Sequence, residues 1–404
     1  MPLGDLAPAG PVAAASLTPQ ATQAPRARRA PLAHAGARAG AESRPDPPLE
    51  RRWLAPFAVD VRAVLFVHRR GHGDPAFAVD QAGAIWRACR TPDGAGTLRV
   101  AWRSVPSRAH RAHPHEVGRA QDGSDHATDG SGHLQDGSGR AQDGSGRAQD
   151  GSGRAVAEGR ATLVHAAAWG AGAAWLLAAL PGLLGAEDTP EGFAPEDPLM
   201  RGLVRQHPGL RIGRSGLVLE ALVPAVLEQK VVGMEATRAW RLLLWRFGEP
   251  APGPVPRGMR IPPAAQTWAA IPSWEWHRAG VEAVRARTIA AAARVAGRLE
   301  EIVAMPSEAA DRRLRALPGI GPWTSAEVRQ RACGDADAVS VGDYHLPAIV
   351  GLALAGRAVD DAGMLELLAP YRGHRHRAAT LAGLSGARRA RRGPRMAVRD
   401  YRAL

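Results

Sequence analysis

A chain of 404 residues with a formal net charge of +13 is long enough for two or three domains whose cores fold without covalent staples. Its two cysteines, Cys89 and Cys333, exclude a disulfide framework, a cysteine-type zinc site and a four-cysteine iron–sulfur cluster, and they fit a reducing cytoplasm. Of the 52 basic residues 51 are arginine and one is Lys230, an excess that points to polyanionic partners but leaves nucleic acid, an acidic membrane and a merely basic protein all open.

Residues 1–50 lack a basic start followed by an apolar run, so they do not read as a secretory signal; their composition predicts disorder. Val61 to His68, Ala84 to Thr91 and Thr97 to Arg103 favour strands. The last of these alternates Leu98, Val100 and Trp102 with Arg99, Ala101 and Arg103, the period-two pattern of a half-buried strand. An antiparallel, β-rich region is expected.

From Gly118 to Ser152 the chain repeats a seven-residue unit such as GRAQDGS. The units have almost nothing apolar to bury and their Asp-Gly pairs favour turns, which predicts a flexible loop rather than a solenoid. Asp122, Asp129, Asp136, Asp143 and Asp150 recur within it, but no folded scaffold is expected to bring them together around calcium. Strand-like sequence resumes at Ala161 to Ala167, so the repeat is read as interrupting a hairpin. The most apolar window, His165 to Ala186, is broken by Gly170, Gly172, Pro181 and Gly182 and is read as a buried helix near Ala173 to Leu180, not as a membrane span.

Beyond an acidic, proline-containing link from Glu187 to Pro198 the pattern turns helical. Leu219, Leu222, Val223, Val226 and Leu227 line one helix face, with Pro224 opening or kinking that helix. A second helix is expected from Val281 to Val303. The chain ends in a basic stretch, Arg388 to Arg402, read as a solvated extension.

The stretch LPGIGPWTSAEVRQRACGDADAVSVGDYHLP, residues 317–347, carries the chemistry. Residues 308–316 predict a short helix stopped by Pro318. Gly319 and Gly321 permit a tight turn, and a second helix is expected to run from Pro322 or Trp323 to Cys333. Such a hairpin lets backbone approach a ligand, and free amides at the start of the second helix favour an anion such as a DNA phosphate, with Thr324 adding a hydroxyl. Asp343 lies 22 residues after Gly321, ahead of Leu346, Ile349 and Val350, where it is placed to cap a helix whose amides favour negative charge.

LPGIGPWT followed by VSVGDYHL resembles the helix-hairpin-helix, Gly/Pro-rich loop and aspartate signature of base-excision DNA glycosylases, closest to the 3-methyladenine glycosylases II of alkylation repair. LVPAVLEQKVVGMEATRAW (Leu222 to Trp240) resembles the segment with which that family enters DNA, and RRGPRMAVRDYRAL resembles the tail of its actinobacterial members. The resemblance covers residues 200–402 well and 51–185 more loosely. It implies an α+β protein: a disordered extension over 1–50, a β-rich α/β domain over 51–198 with a disordered repeat loop at 106–158, an all-α helix-hairpin-helix glycosylase domain over 199–387, and a basic tail over 388–404.

These enzymes flip a damaged nucleotide out of the duplex and cut its glycosidic bond. The resemblance assigns the catalytic carboxylate to Asp343, which would stabilise the positive sugar and orient water. Pro318, Gly319, Ile320, Gly321 and Thr324 would contact DNA. Gln229 and Lys230 match positions that probe the gap left by the flipped base, although Lys230 stands where a hydrophobic wedge is usual. Trp323 occupies the place of the Schiff-base lysine of bifunctional relatives, which implies a monofunctional enzyme with Trp323 and Tyr344 at the base pocket. Glu327 departs from a pocket aromatic. No cofactor is required on this reading, though some members hold a monovalent cation through hairpin carbonyls. The implied partner is damaged double-stranded DNA, met by a monomer in the cytoplasm, at the nucleoid, with no membrane involved. A non-catalytic helix-hairpin-helix DNA-binding protein, a glycosylase for a different damaged base and a structural or regulatory protein whose repeat loop recruits partners remain as alternatives.

Overall fold

The computed structural model describes residues 47–106, 160–256 and 258–387. The expectations for the N-terminal extension up to residue 46, the aspartate repeat and the basic tail lie outside these residues.

Five strands form one antiparallel sheet: β1 (Leu49–Leu54), β2 (Phe77–Val79), β3 (Ile85–Thr91), β4 (Gly94–Pro106) and β5 (Arg160–Trp169), in the order β1-β5-β4-β3-β2. Strand β1 begins inside the stretch expected to be disordered, because Leu49 finds a partner in Ala168 of β5. Thr97 faces Trp169 and Pro106 faces Arg160, so the segment carrying the repeat joins two paired neighbours.

Residues 61–68 are not a strand. Asp60 accepts a hydrogen bond from the Ala63 amide at 2.9 Å and starts α1 (Val61–Phe66), whose Val61, Val64 and Leu65 are buried. Local capping outweighs the β-branched composition here. Helix α2 (Ala173–Leu183) lays Leu176, Leu177 and Leu180 on the same core as Leu98, Val100 and Val164. Strand β3 is buried on both faces: Ile85 and Cys89 enter that core, whereas Trp86 and Ala88 meet Trp169, Met259 and Ile261 on the other side.

The helical part continues with α3 (Pro198–Gln206), α4 (Val218–Leu227) and α5 (Gly233–Phe247), the short pair β6 (Glu249–Pro250) and β7 (Arg260–Ile261), and then α6 (Ala265–Ala270) and α7 (Ser273–Arg278). Next come α8 (Ala283–Arg294), α9 (Ala296–Glu300), α10 (Ser307–Arg315), α11 (Pro322–Val328), α12 (Leu346–Ala355), α13 (Asp361–Leu368) and α14 (Arg375–Leu384). The helix expected over 281–303 is therefore interrupted. Val295 leaves helical geometry (φ −114°, ψ 20°), and Glu301–Ala304 tightens into a 3-10 turn.

That break serves α4, the apolar helix at the centre of the helical core. The Glu300 carboxylate accepts from the amides of Val218 (2.7 Å) and Leu219 (2.9 Å), while buried Arg285 donates to Leu227 O (2.8 Å). Both ends of α4 are thereby satisfied by side chains from α8 and α9. Trp240, Trp268 and Trp276 stack in the same core at centroid distances of 6.3 and 5.9 Å. A further core joins Met200 and Leu203 of α3 to Val350, Met364, Leu368 and Leu381. The segment from α11 to α12 runs between these two helical cores.

Candidate active site

Helices α10 and α11 form the expected hairpin. Gly319 has φ +88°, and a Cβ there would come 2.2 Å from Thr288 Oγ1, so both backbone conformation and space require glycine. Pro318 and Gly319 are exposed, while Ile320 turns its side chain into the core and leaves only main chain for a ligand. Gly321 precedes the first turn of α11, with Pro322 at a position where a missing N–H costs nothing. The second arm does not stay α-helical to Cys333; from Arg329 to Cys333 it widens into a π-turn closed by Gly334.

Gln229, just past the end of α4, reaches this hairpin. Its Nε2 donates to Gly319 O (2.9 Å) and to Thr324 Oγ1 (2.8 Å). Thr324 is 2% exposed, so its hydroxyl is turned inward to Gln229 and offers no direct phosphate contact, which corrects the sequence expectation. Next to it, exposed Lys230 has φ +54°, the single non-glycine with positive φ among the described residues. The conformation lifts its side chain from the end of α4 at the cost of backbone strain.

Asp343 stands half-buried before α12. Its Oδ1 accepts from the amides of His345 (2.8 Å) and Leu346 (2.9 Å), a turn leading into α12 whose N-cap is His345 and not Asp343 as expected, and its Oδ2 accepts from Trp323 Nε1 at 3.1 Å. Trp323 packs its ring against the central core and spends its one polar group on that carboxylate. Tyr344 is 85% exposed and touches His345 edge-on, so no enclosed base pocket includes it in this structure. The charged side chain in that region is Glu327, one helical turn after Trp323, which accepts from Ser340 Oγ (2.6 Å) and pairs with Arg331 (2.7 Å). Burial opposes its ionisation, but Arg331 and the Ser340 hydroxyl prevail and hold the carboxyl below its usual range. The i,i+4 spacing of Glu327 and Arg331 was readable in the sequence; the contact with Ser340 was not.

The site therefore has a carboxylate oriented by three donors, an exposed glycine turn and, past the end of α4, the exposed Lys230. Chemically, such an arrangement can accept a polyanion and can stabilise positive charge that develops beside the carboxylate. Among the described residues no group of three or more His, Cys, Asp or Glu side chains is placed to hold a metal, and no helix is long and apolar enough to cross a membrane.

The fold is one shared with solved DNA glycosylases. A 3-methyladenine DNA glycosylase from Archaeoglobus fulgidus superposes with a TM-score of 0.56 at 16% identity, over 82% of this chain and 96% of its own. The 8-oxoguanine glycosylase/lyase of Clostridium acetobutylicum, without DNA, gives 0.53 at 10% identity, over 84% and 99%. At these identities the likeness is one of fold. In sequence, the chain is homologous to the Mycobacterium tuberculosis protein named "Probable bifunctional transcriptional activator/DNA repair enzyme AlkA", with 31% identity over 154 residues, 37% of this chain. The match spans 30% of the length of that relative. No protein-family model matches the chain.

Proposed function

We propose that this protein is a monofunctional DNA glycosylase that removes alkylated purines of the 3-methyladenine type from duplex DNA. The observation that carries the reading is the Asp343 carboxylate, held between the Trp323 indole and the amides of His345 and Leu346 at the start of α12, close to the hairpin. On this reading Pro318, Gly319 and Gly321 bring main chain to the phosphates, and Lys230 extends toward the strand from a helix end that Arg285 fixes through Leu227 O. Gln229 holds the loop to the hairpin, and would leave Thr324 if it followed the flipped nucleotide into the duplex. Asp343 stabilises the sugar as positive charge grows at the anomeric carbon and orients the attacking water. The indole at Trp323 has no amine to form a Schiff base, so the strand stays intact.

Homology to a DNA repair enzyme and the glycosylase fold support this assignment over a non-catalytic DNA-binding role. The proposal extends to a monomer acting on damaged double-stranded DNA in the cytoplasm, at the nucleoid. It requires no cofactor, and the hairpin carbonyls are the place where a monovalent cation would bind. The test is incubation of the protein with alkylated duplex DNA, with released bases identified by mass spectrometry and strand breaks counted before alkali. Release of 3-methyladenine or 7-methylguanine without nicking is expected. Salt-sensitive binding with no release would assign the protein to the non-catalytic class.

A further inference from the structure

The segment from Gly334 to His345 has no regular secondary structure, yet side chains from three directions fasten it. Asp335 pairs with Arg329 (2.6 Å), Asp337 pairs with Arg375 (2.5 Å), and Asp361 Oδ1 accepts from the Gly342 amide (3.0 Å). Closest to the reacting carboxylate is a buried polar cluster. Gln330 Nε2 donates to Ala338 O (2.8 Å) and to Ser340 Oγ (2.9 Å), and Ser340 Oγ donates onward to Glu327 Oε1 (2.6 Å). Ser340 is 4% exposed and Gln330 7%.

These contacts form a ladder. Trp323, Glu327 and Gln330 are spaced by four and three residues and share one helical face, and they meet Asp343 and Ser340 on the loop. Ser340 and Asp343 are the two ends of one turn, closed by the Asp343 amide on Ser340 O at 3.2 Å. A hydroxyl that donates to one carboxylate and accepts from one amide has a single orientation. Arg331 holds Glu327 from its other oxygen and also donates to Val67 O, which anchors the ladder to the first layer of the fold.

We propose that Ser340 and Glu327 are positioning residues for Asp343: the Glu327–Ser340–Gln330 chain fixes the turn whose far end aims the carboxylate. The inference rests on Asp343 being the reacting group. A misplacement of about 1 Å in such a group is enough to slow chemistry by about 100-fold without touching substrate affinity.

The test compares Ser340→Ala, Glu327→Ala and Glu327→Gln with the native protein on alkylated duplex DNA, together with amide hydrogen exchange over residues 338–346. Ser340→Ala and Glu327→Ala are expected to lower kcat by about 10- to 100-fold with KM for DNA unchanged, and to raise exchange in that segment alone. Glu327→Gln keeps an oxygen for the Ser340 hydroxyl and is expected to recover most of the rate. Native kcat and native exchange in both alanine variants would overturn the proposal. So would an exchange increase spread through the whole molecule, or a Glu327→Gln variant as slow as Glu327→Ala. Should the native protein release no base, the catalytic assignment of Asp343 fails, and the exchange pattern alone decides whether the ladder holds the loop.

Discussion

Lys230 and Trp323 show how much of the site rests on single side chains. A left-handed backbone costs an L-residue bearing a Cβ roughly 1–2 kcal/mol that glycine does not pay, less about 0.5–1 kcal/mol for glycine's greater unfolded freedom. Lys230→Gly is therefore expected to leave stability unchanged or raise it by up to about 1.5 kcal/mol in urea titrations. The same variant should weaken DNA binding and reduce its salt slope by about one. At Trp323, phenylalanine keeps an aromatic ring but removes the N–H that Asp343 Oδ2 accepts. Trp323→Phe should slow base release about 10-fold in single-turnover assays while the melting transition moves little.

At the scale of elements, the loop and helices behind Asp343 carry an acid-sensitive group. His376, on α14, is held neutral by burial and by Arg331 and Arg377, against the opposing pull of Glu327 and Asp335, and its pKa falls to about 4. The unfolded chain takes up that proton near pH 6.5, so between about 6.5 and 4 protonation favours the unfolded state and stability falls as pH is lowered. The loss amounts to at most about 3 kcal/mol. His376→Asn should flatten the acid limb of stability against pH measured by denaturant titration; an unchanged limb would place the titrating group elsewhere.

Elements with a strong local period were legible in the sequence. Leu98, Val100 and Trp102 announced β4, the Ala173 to Leu180 helix lies within α2, and the two glycines around Ile320 marked the hairpin. Val61 to His68 misled because β-branched residues outweighed the Asp60 cap in the reading, although the cap decides the structure. The break at Val295 exists to let Glu300 reach α4, a contact over 82 positions. Nothing local encodes such a contact. Asp343, Trp323 and Gln229 were found because their motifs are local; Ser340 and Gln330 were not, because their role appears only when the loop folds back on α11.

On the scale of the whole molecule, the sheet and the helical core are joined by an ion pair between buried Arg87 and part-buried Glu220 at 2.9 Å, and the helical core is organised around stacked tryptophans. Trp268 is 2% exposed and stands between Trp240 and Trp276. Trp268→Ala is expected to cost about 3–5 kcal/mol in chemical denaturation. Because α4 packs in that core and carries Gln229 and Lys230 at its end, the same change should weaken DNA binding even though no contact residue is altered.

The most direct test of the account is the single-turnover rate of base release from alkylated duplex DNA by the native protein and by Asp343→Asn. Asparagine keeps an oxygen for the His345 and Leu346 amides and removes the charge, so a loss of at least about 100-fold is expected with folding and DNA affinity retained. Equal rates in the two proteins would contradict it and return Asp343 to a structural role in the turn that leads into α12.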